Sequence, residues 1–336
     1  ASVTPVFKKT GNSTPEIKKY KITLNQGEHG AVTVEPPLPA DGMVEQYKTL
    51  TFTAMPDTGY EVAAWTGATQ DSADKNKARL TVTAHTTVSV TFKEKAADVS
   101  LLQIDSTGRL TGVTDRNALV GSLAIPNTVT EIGADAFVDC SKLTSVTMPE
   151  TVTEISDRAF LDCSALSVVT ISNNVTKIGF AAFASCTNLT GIAIPNSVTE
   201  IGDSAFSNCS ALSVVTIGNN VTKIGEAAFA HCTNLTGITI PDSVTEIGDS
   251  AFSNCSALSA VTIGTGVTKI GSRAFVYCFS LDTITIKSSV LTDISNDAFK
   301  DIKADAQFTV KTEAVKTLLN TQCNIEESKI TVDENL

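Results

Sequence analysis

The sequence predicts a mainly β protein: a right-handed solenoid of 23-residue turns, with parallel strands and short helical turns, behind a small β-domain. Three observations predict it. Phe137, Phe160, Phe183, Phe206, Phe229, Phe252 and Phe275 recur every 23 residues, each preceded by alanine. Cys140, Cys163, Cys186, Cys209, Cys232, Cys255 and Cys278 follow those rings at a constant offset of three. Ahead of them, between residues 20 and 95, the text changes to short alternating segments separated by glycine, which is how strands and tight turns read.

The elements follow in chain order. Residues 1–19 are polar and aperiodic and read as a linker or tether. Residues 20–95 form the small β-domain, with strands expected at 20–24, 31–34, 50–54, 79–82 and 88–92, and with Gly27, Gly30, Gly59 and Gly67 at turns. Trp65 belongs in its core, because buried aromatics supply much of the apolar area of a small domain. Residues 96–124 are expected to seal the N-terminal end of the solenoid, with strand, turn and strand around 104–110. A solenoid end left open would invite edge pairing.

Residues 125–306 are the solenoid itself. In one unit Leu212-x-x-Val215-x-Ile217 is a strand, and Val221-x-x-Ile224 is a second apolar step on the opposite wall. Ala228-Phe229-x-x-Cys232 then turns the chain back. Gly218, Gly225 and Asn219-Asn220 are expected at corners needing positive φ. One unit cannot enclose its own Leu, Val, Ile and Phe; stacked units can. An eighth unit at Ala298-Phe299 arrives one residue late, with Ile302 in the cysteine slot. A longer period overlies the short one: 187–232 and 233–278 agree at 37 of 46 positions, as after duplication of a two-turn block. Residues 307–336 close the other end, with a strand at 308–310, a short amphipathic helix through Ala314-Val315 and Leu318-Leu319, and a last strand at 328–332.

The Leu-x-x-Leu-x-Leu spacing at this period is the leucine-rich-repeat signature. "IPNSVTEIGDSAFSNCSALSVVTI" (194–217) resembles the BspA-like, treponemal-type leucine-rich repeats of bacterial surface proteins, and the resemblance covers roughly 110–299. "GEHGAVTVEP", "GYEVAAWTG" and "TVSVTF" resemble the divergent internalin-type B-repeat, over about 75 residues. The first resemblance implies adhesion to extracellular-matrix proteins such as fibronectin or fibrinogen. The second implies a stalk or spacer.

The chain has 25 basic and 36 acidic residues, a balance of −11, which repels phosphate backbones and disfavours nucleic acid. No apolar run approaches the roughly 18 residues of a membrane helix, so the chain is not expected to span a membrane. His29, His85 and His231 share no metal-ligand spacing, and cysteines 23 apart are not a zinc pattern. Stacked turns would bring equivalent cysteines within disulfide range, but with parallel rather than converging side chains. The expectation is a ladder of buried reduced thiols, with Cys323 outside it and undecided. Asp71-x-x-Asp74 lacks the ligand density of a calcium loop. No phosphate loop, nucleophile elbow or zincin motif occurs, so no catalytic residue, metal or cofactor is assigned.

Two surface rows stand out. Thr147, Thr170, Ala193, Thr216, Thr239, Thr262 and Thr285 should point outward from the strands as a neutral, hydroxyl-rich stripe, although β-propensity alone would also place Thr there. Thr147, Thr170, Thr216, Thr239, Thr262 and Thr285 are the candidate ligand-binding residues, with the strands expected flattest and best aligned at 216, 239 and 262. Lys177, Glu200, Lys223, Glu246 and Lys269 alternate in sign along a second row, interrupted by Glu131 and Glu154. The reading is an exported, extracellular or cell-surface binding protein, with any signal or anchor segment absent from this chain. It is not an enzyme, and its partner is a protein of the host matrix or another surface. A glycan-binding module, or a spacer without a ligand, is the alternative.

Overall fold

The structure, a computed structural model, describes residues 17–336. The first part of the expected linker, 1–16, lies outside the described residues. The chain divides into two compact units between residues 94 and 95.

The first unit holds two four-stranded sheets. One runs Met43–Glu45, Lys19–Asn25, Thr86–Glu94, Tyr60–Thr66; the other runs Gly30–Glu35, Thr49–Pro56, Lys77–Thr81, Thr69–Gln70. Among its described strands only Lys19–Asn25 and Thr86–Glu94 pair in parallel. Alternation places Leu50, Phe52, Ala54, Val88 and Val90 inside. Trp65 is buried against Phe52, and its indole N–H donates to the Lys75 carbonyl at 3.0 Å, so its one polar atom is satisfied in the core. Strand Tyr60–Thr66 was not among the expected strands. A bulge between Val62 and Ala64 breaks the alternation that would have marked it.

The second unit is a solenoid of parallel strands with 23-residue turns. One wall is a continuous ten-stranded sheet, from the hairpin Leu102–Ile104/Arg109–Val113 through two-residue Glu-Ile and Lys-Ile strands to Asp293–Ile294. The opposite wall carries the longer strands. It is split into three ladders: Gly121–Ala124 to Val168–Thr170, Gly191–Ala193 with Val214–Thr216, and Gly237–Ile240 to Ile330–Val332.

The stretch expected to return as a short helical turn is a chain of i→i+3 turns. Ala228 donates to Gly225, Cys232 to Phe229 and Leu235 to Cys232. The amides between reach the next turn: Ala227 to Asp249, Phe229 to Ala251 and His231 to Ser253, each at 2.8 Å. These bonds make a third wall and account for backbone groups that a lone turn would leave unpaired.

The expected positive-φ corners are corrected here. Gly218, Gly225, Asn219 and Asn220 do not have positive φ. The left-handed residues are Ala227 (φ 51°) and His231 (φ 61°) and their equivalents in other turns. Gly225 is required for a different reason: a Cβ there would lie 2.6 Å from the Asp203 amide nitrogen, inside the backbone of the preceding turn. The slot of His231 therefore varies under constraint. Its occupants Asp139, Asp162, Ser185, Asn208, Asn254 and Tyr277 all sit near φ 60°, where Asn, Asp and His are best tolerated among non-glycine residues.

Eight phenylalanine rings, from Phe137 to Phe299, stack in one buried column at 4.8–5.3 Å with planes within 12°. Phe308 ends the column edge-on at 86°. The helix Glu313–Cys323 then buries Val315 and Leu319 over that end, with Thr312 as its N-cap.

Candidate binding face

The expected outward row is a register row. Thr147 pairs with Thr170, Ala193 with Thr216, and Thr239 with Thr262 and then Thr285. It continues through two residues that sequence reasoning missed, Thr309 and Thr331. The signal was present, since Phe308-Thr309-Val310 and Ile330-Thr331-Val332 each place Thr between apolar neighbours. Both lie beyond the last regular repeat, where the 23-residue spacing no longer points to them.

The row is not uniformly flat. No ladder joins Val168–Thr170 to Gly191–Ala193, or Val214–Thr216 to Gly237–Ile240. Thr216 and Thr239, expected on the best-aligned strands, face each other across the second split. At both splits an exposed valine (Val168, 51%; Val214, 62%) precedes a strand that opens with glycine (Gly191, Gly237). A glycine offers no side chain for cross-strand packing and weakens a strand. The split opens a cleft of about 480 Å³ lined by Val215, Thr216, Ile217, Asn219, Gly237, Ile238, Thr239, Pro241, Ala260 and Thr262. Three of the six candidate residues thus meet at one place. Thr147, Thr170 and Thr285 lie elsewhere on the row.

A second threonine column lies on the other wall: Thr130, Thr153, Thr176, Thr199, Thr222, Thr245, Thr268 and Thr292. Each hydroxyl donates to the carbonyl of the residue in the preceding turn, at 3.0–3.5 Å. That column is committed to holding turns together. Among the described residues, by contrast, no hydroxyl of the main-sheet row, from Thr147 to Thr331, makes a hydrogen bond within the chain. Two columns of one residue type therefore have different chemistry to offer.

The charged row lies on the ten-stranded sheet. Arg109, Glu131, Glu154, Lys177, Glu200, Lys223, Glu246, Lys269 and Asp293 are register neighbours. Each lysine bridges the glutamate of the turn before it, Lys269 to Glu246 at 3.1 Å being the shortest. The like-charged step Glu131/Glu154 is relieved by Arg109 at 3.2 Å and by the Ser156 hydroxyl at 2.9 Å, both on Glu131.

Most of the remaining chemistry-bearing residues have structural partners. All eight cysteines are free thiols, and the seven of the ladder are buried. From Cys163 to Cys278 each Sγ–H donates to the phenylalanine carbonyl of the turn before, at 3.1–3.3 Å. Burial pushes the Cys209 and Cys278 thiols up to about 12, and that of Cys140 up to about 11. Cys323 is half-buried beside the Ser295 carbonyl, and desolvation raises it to about 12 as well. His29 stacks on Tyr60 at 4.1 Å, and His85 Nδ1 accepts from the Lys21 amide at 2.8 Å. Asp71 and Asp74 cap the amides of Ala73 and Asn76, and the Ala73 bond holds Asp71 below the usual carboxylate range. Tyr277 and Phe279 form an exposed aromatic pair at 5.8 Å, away from the sheet row. Among the described residues no group of three His, Cys, Asp or Glu could hold a metal ion, and no helix is long and apolar enough to cross a membrane.

The model of the BspA type leucine rich repeat region matches residues 116–236 and 222–333, and that of the divergent InlB B-repeat domain matches 20–96. No curated protein matches the chain. Among solved structures it is similar to a leucine rich cell surface protein from Faecalibacterium prausnitzii A2-165, at 27% identity over 77% of each chain with TM-score 0.48. It is also similar to a T. pallidum leucine rich repeat protein, at 23% identity over 64% of this chain and 86% of that one with TM-score 0.43. The pneumococcal vaccine antigen PcpA matches at 18% identity over 63% of this chain and 67% of that one, with TM-score 0.40. The chain belongs to the BspA-type leucine-rich-repeat family and carries a divergent InlB B-repeat domain ahead of its repeats.

Proposed function

We propose that this chain is an exported bacterial cell-surface protein that works by adhesion, binding an extended protein partner of the host matrix or of another surface along its main-sheet threonine row. The observation that carries the reading is the division between the two threonine columns. One has every hydroxyl engaged in the fold; the other leaves its hydroxyls unused on an exposed sheet. Each unused threonine offers a donor, an acceptor and a methyl group. The row is uncharged, so contact along it depends little on salt, in contrast to binding through charged surface groups. Affinity per turn is low and accumulates over turns, which suits a repetitive face and an extended partner.

The test begins with capture of matrix proteins, fibronectin and fibrinogen among them, on the intact chain. Thr216→Lys with Thr239→Lys should then weaken binding about tenfold or more, because two cations would interrupt a neutral face. Thr222→Val with Thr245→Val, on the other wall, should leave binding unchanged while lowering stability. Deleting residues 187–232, one duplicated block, should weaken binding in a protein that stays folded. Equal affinity of the lysine variant and the parent would leave the row without a role. Binding retained only through the exposed Tyr277 and Phe279 would move the site to that edge.

A further inference from the structure

The cleft between Val214–Thr216 and Gly237–Ile240 has a natural control within the same chain. The split at Val168–Thr170 and Gly191–Ala193 is its counterpart one 46-residue block earlier, and the cleft-lining positions of the two differ at two residues only. Ala193 stands where the cleft has Thr239, so one hydroxyl is missing. Val214 stands where the cleft has Ala260, so two further carbons stand in the opening, and that valine is 62% exposed. The duplicated block thus has two versions of one split. The later one carries no more side-chain bulk at these two positions, but it has lost the valine from the opening and gained a hydroxyl group.

What the cleft can take follows from its lining. It contains no ionisable side chain. A charged ligand would lose hydration there without gaining a counter-charge. Its polar groups are the hydroxyls of Thr216, Thr239 and Thr262, supplied by three successive turns, and the side-chain amide of Asn219. Among the described residues none of these groups has a hydrogen-bond partner in the chain. All four can both donate and accept. Half-buried Val215 adds an apolar surface beside them, over a floor of buried Ile238 and Pro241. An inserted peptide strand is disfavoured by spacing. The two flanking strands still have Cα atoms within 8 Å of each other, whereas a strand placed between them needs about 9.6 Å, twice the normal separation.

We propose that this cleft is a binding site for one neutral sugar unit of a glycan. A pyranose presents hydroxyl groups that donate and accept around its edge and C–H groups on its face, which matches three threonines and an asparagine beside an aliphatic surface. The site shares Thr216, Thr239 and Thr262 with the proposed adhesion row, and Ala260→Val, which leaves those threonines in place, tells the two apart. Loss of protein capture would leave sugar binding intact, and loss of sugar binding would leave the rest of the row available to a protein.

The test uses the intact chain, a neutral-glycan array, and titration calorimetry with maltose, cellobiose and lactose. The expected result is saturable binding of at least one neutral saccharide, with one site per chain. Ala260→Val, which installs the residue found at the earlier split and therefore keeps the fold, should reduce affinity at least about tenfold by filling the site. Thr239→Ala should reduce it about fivefold, the loss of one hydrogen bond. The reciprocal variant, Ala193→Thr with Val214→Ala, should raise the stoichiometry from one site to two. No binding of any neutral glycan overturns the proposal, as does binding that Ala260→Val leaves unchanged. Binding of a peptide library that is lost in Ala260→Val would assign the cleft to a protein partner and overturn it equally.

Discussion

Replacing Phe206 by alanine tests whether the ring column is the core of the solenoid. Phe206 is fully buried, with ring centroids 5.3 Å from Phe183 and 5.2 Å from Phe229 and planes within 5°. The neighbouring turns are held by backbone bonds on three walls, so they cannot close over the gap. A phenylalanine removed from such a site costs about 3–5 kcal/mol through lost transfer energy and the cavity left behind. Phe137 begins the column and has one stacked neighbour, Phe160 at 4.8 Å. Its replacement should cost less than that of Phe206 by about one aromatic pair, roughly 0.5–1.5 kcal/mol. The assay is urea unfolding of the whole chain followed by far-ultraviolet circular dichroism, with Trp65 fluorescence as a separate reporter of the N-terminal unit. A loss below about 1 kcal/mol for Phe206→Ala would refute the column as core. So would a larger loss at Phe137 than at Phe206.

The thiols should give the solenoid a stability that falls with alkaline pH. Their folded pKa lies above the ordinary value of 9.0, about 12 for Cys209. Above 9 the unfolded chain therefore loses protons that the folded chain keeps, and stability drops progressively from pH 9 towards 12. Cys209→Ala should make the measured slope shallower, and an unchanged slope would remove that thiol from the account. Ellman titration of the native protein at pH 8 should be slow for all seven ladder thiols and complete in denaturant. Disulfides between adjacent turns would contradict it. Lys223→Glu would set three glutamates side by side with Glu200 and Glu246. It should cost about 0.5–1 kcal/mol at low salt and less at high salt, as read from paired melts. Gly225→Ala should cost about 1–3 kcal/mol because its Cβ meets backbone. Ala227→Gly should be neutral or gain up to about 1 kcal/mol because φ is 51° there. A reversed order in urea melts would show that the corner geometry is wrong.

What was legible in the sequence is what repeats. The spacing of Phe and Cys marks the inside of the solenoid because every turn must bury the same set in the same place. The sign alternation of Lys177, Glu200, Lys223, Glu246 and Lys269 marks neighbours in register for the same reason. Arg109 and Asp293 complete that row but were not legible. The first sits in the terminal hairpin and the second follows the one-residue insertion, so neither falls on the period. The left-handed corners were half legible. Asp139, Asp162, Asn208, His231 and Asn254 carry the composition of an αL position, but Ala181, Ala227 and Arg158 carry none. Their geometry is imposed by bonds to the next turn. In the N-terminal unit, Met43–Glu45 and Thr69–Gln70 are too short to show alternation at all.

The two threonine columns mark the limit of reading from residue type. Both lie on the surface, one recurs in every turn and the other in all but the turn of Ala193, and β-propensity would place threonine in either. They part only in where the hydroxyl finds a partner. On the ten-stranded wall the carbonyl of the preceding turn lies within reach of each hydroxyl, so the side chain reinforces the stacking it sits on. On the main sheet the hydroxyls of the register row, as in Thr239, Thr262 and Thr285, find no such carbonyl, although Thr lies over Thr there too. The hydroxyls are left facing outward. A repeat that copied itself without change would make that outward face uniform. This chain departs from uniformity on that face at Ala193 and Thr239, and at Val214 and Ala260, two of the nine positions at which 187–232 and 233–278 differ. Those four positions lie at the two places where the main sheet parts. Differences at a split in an exposed sheet change what the surface can hold and leave the stacked core as it is.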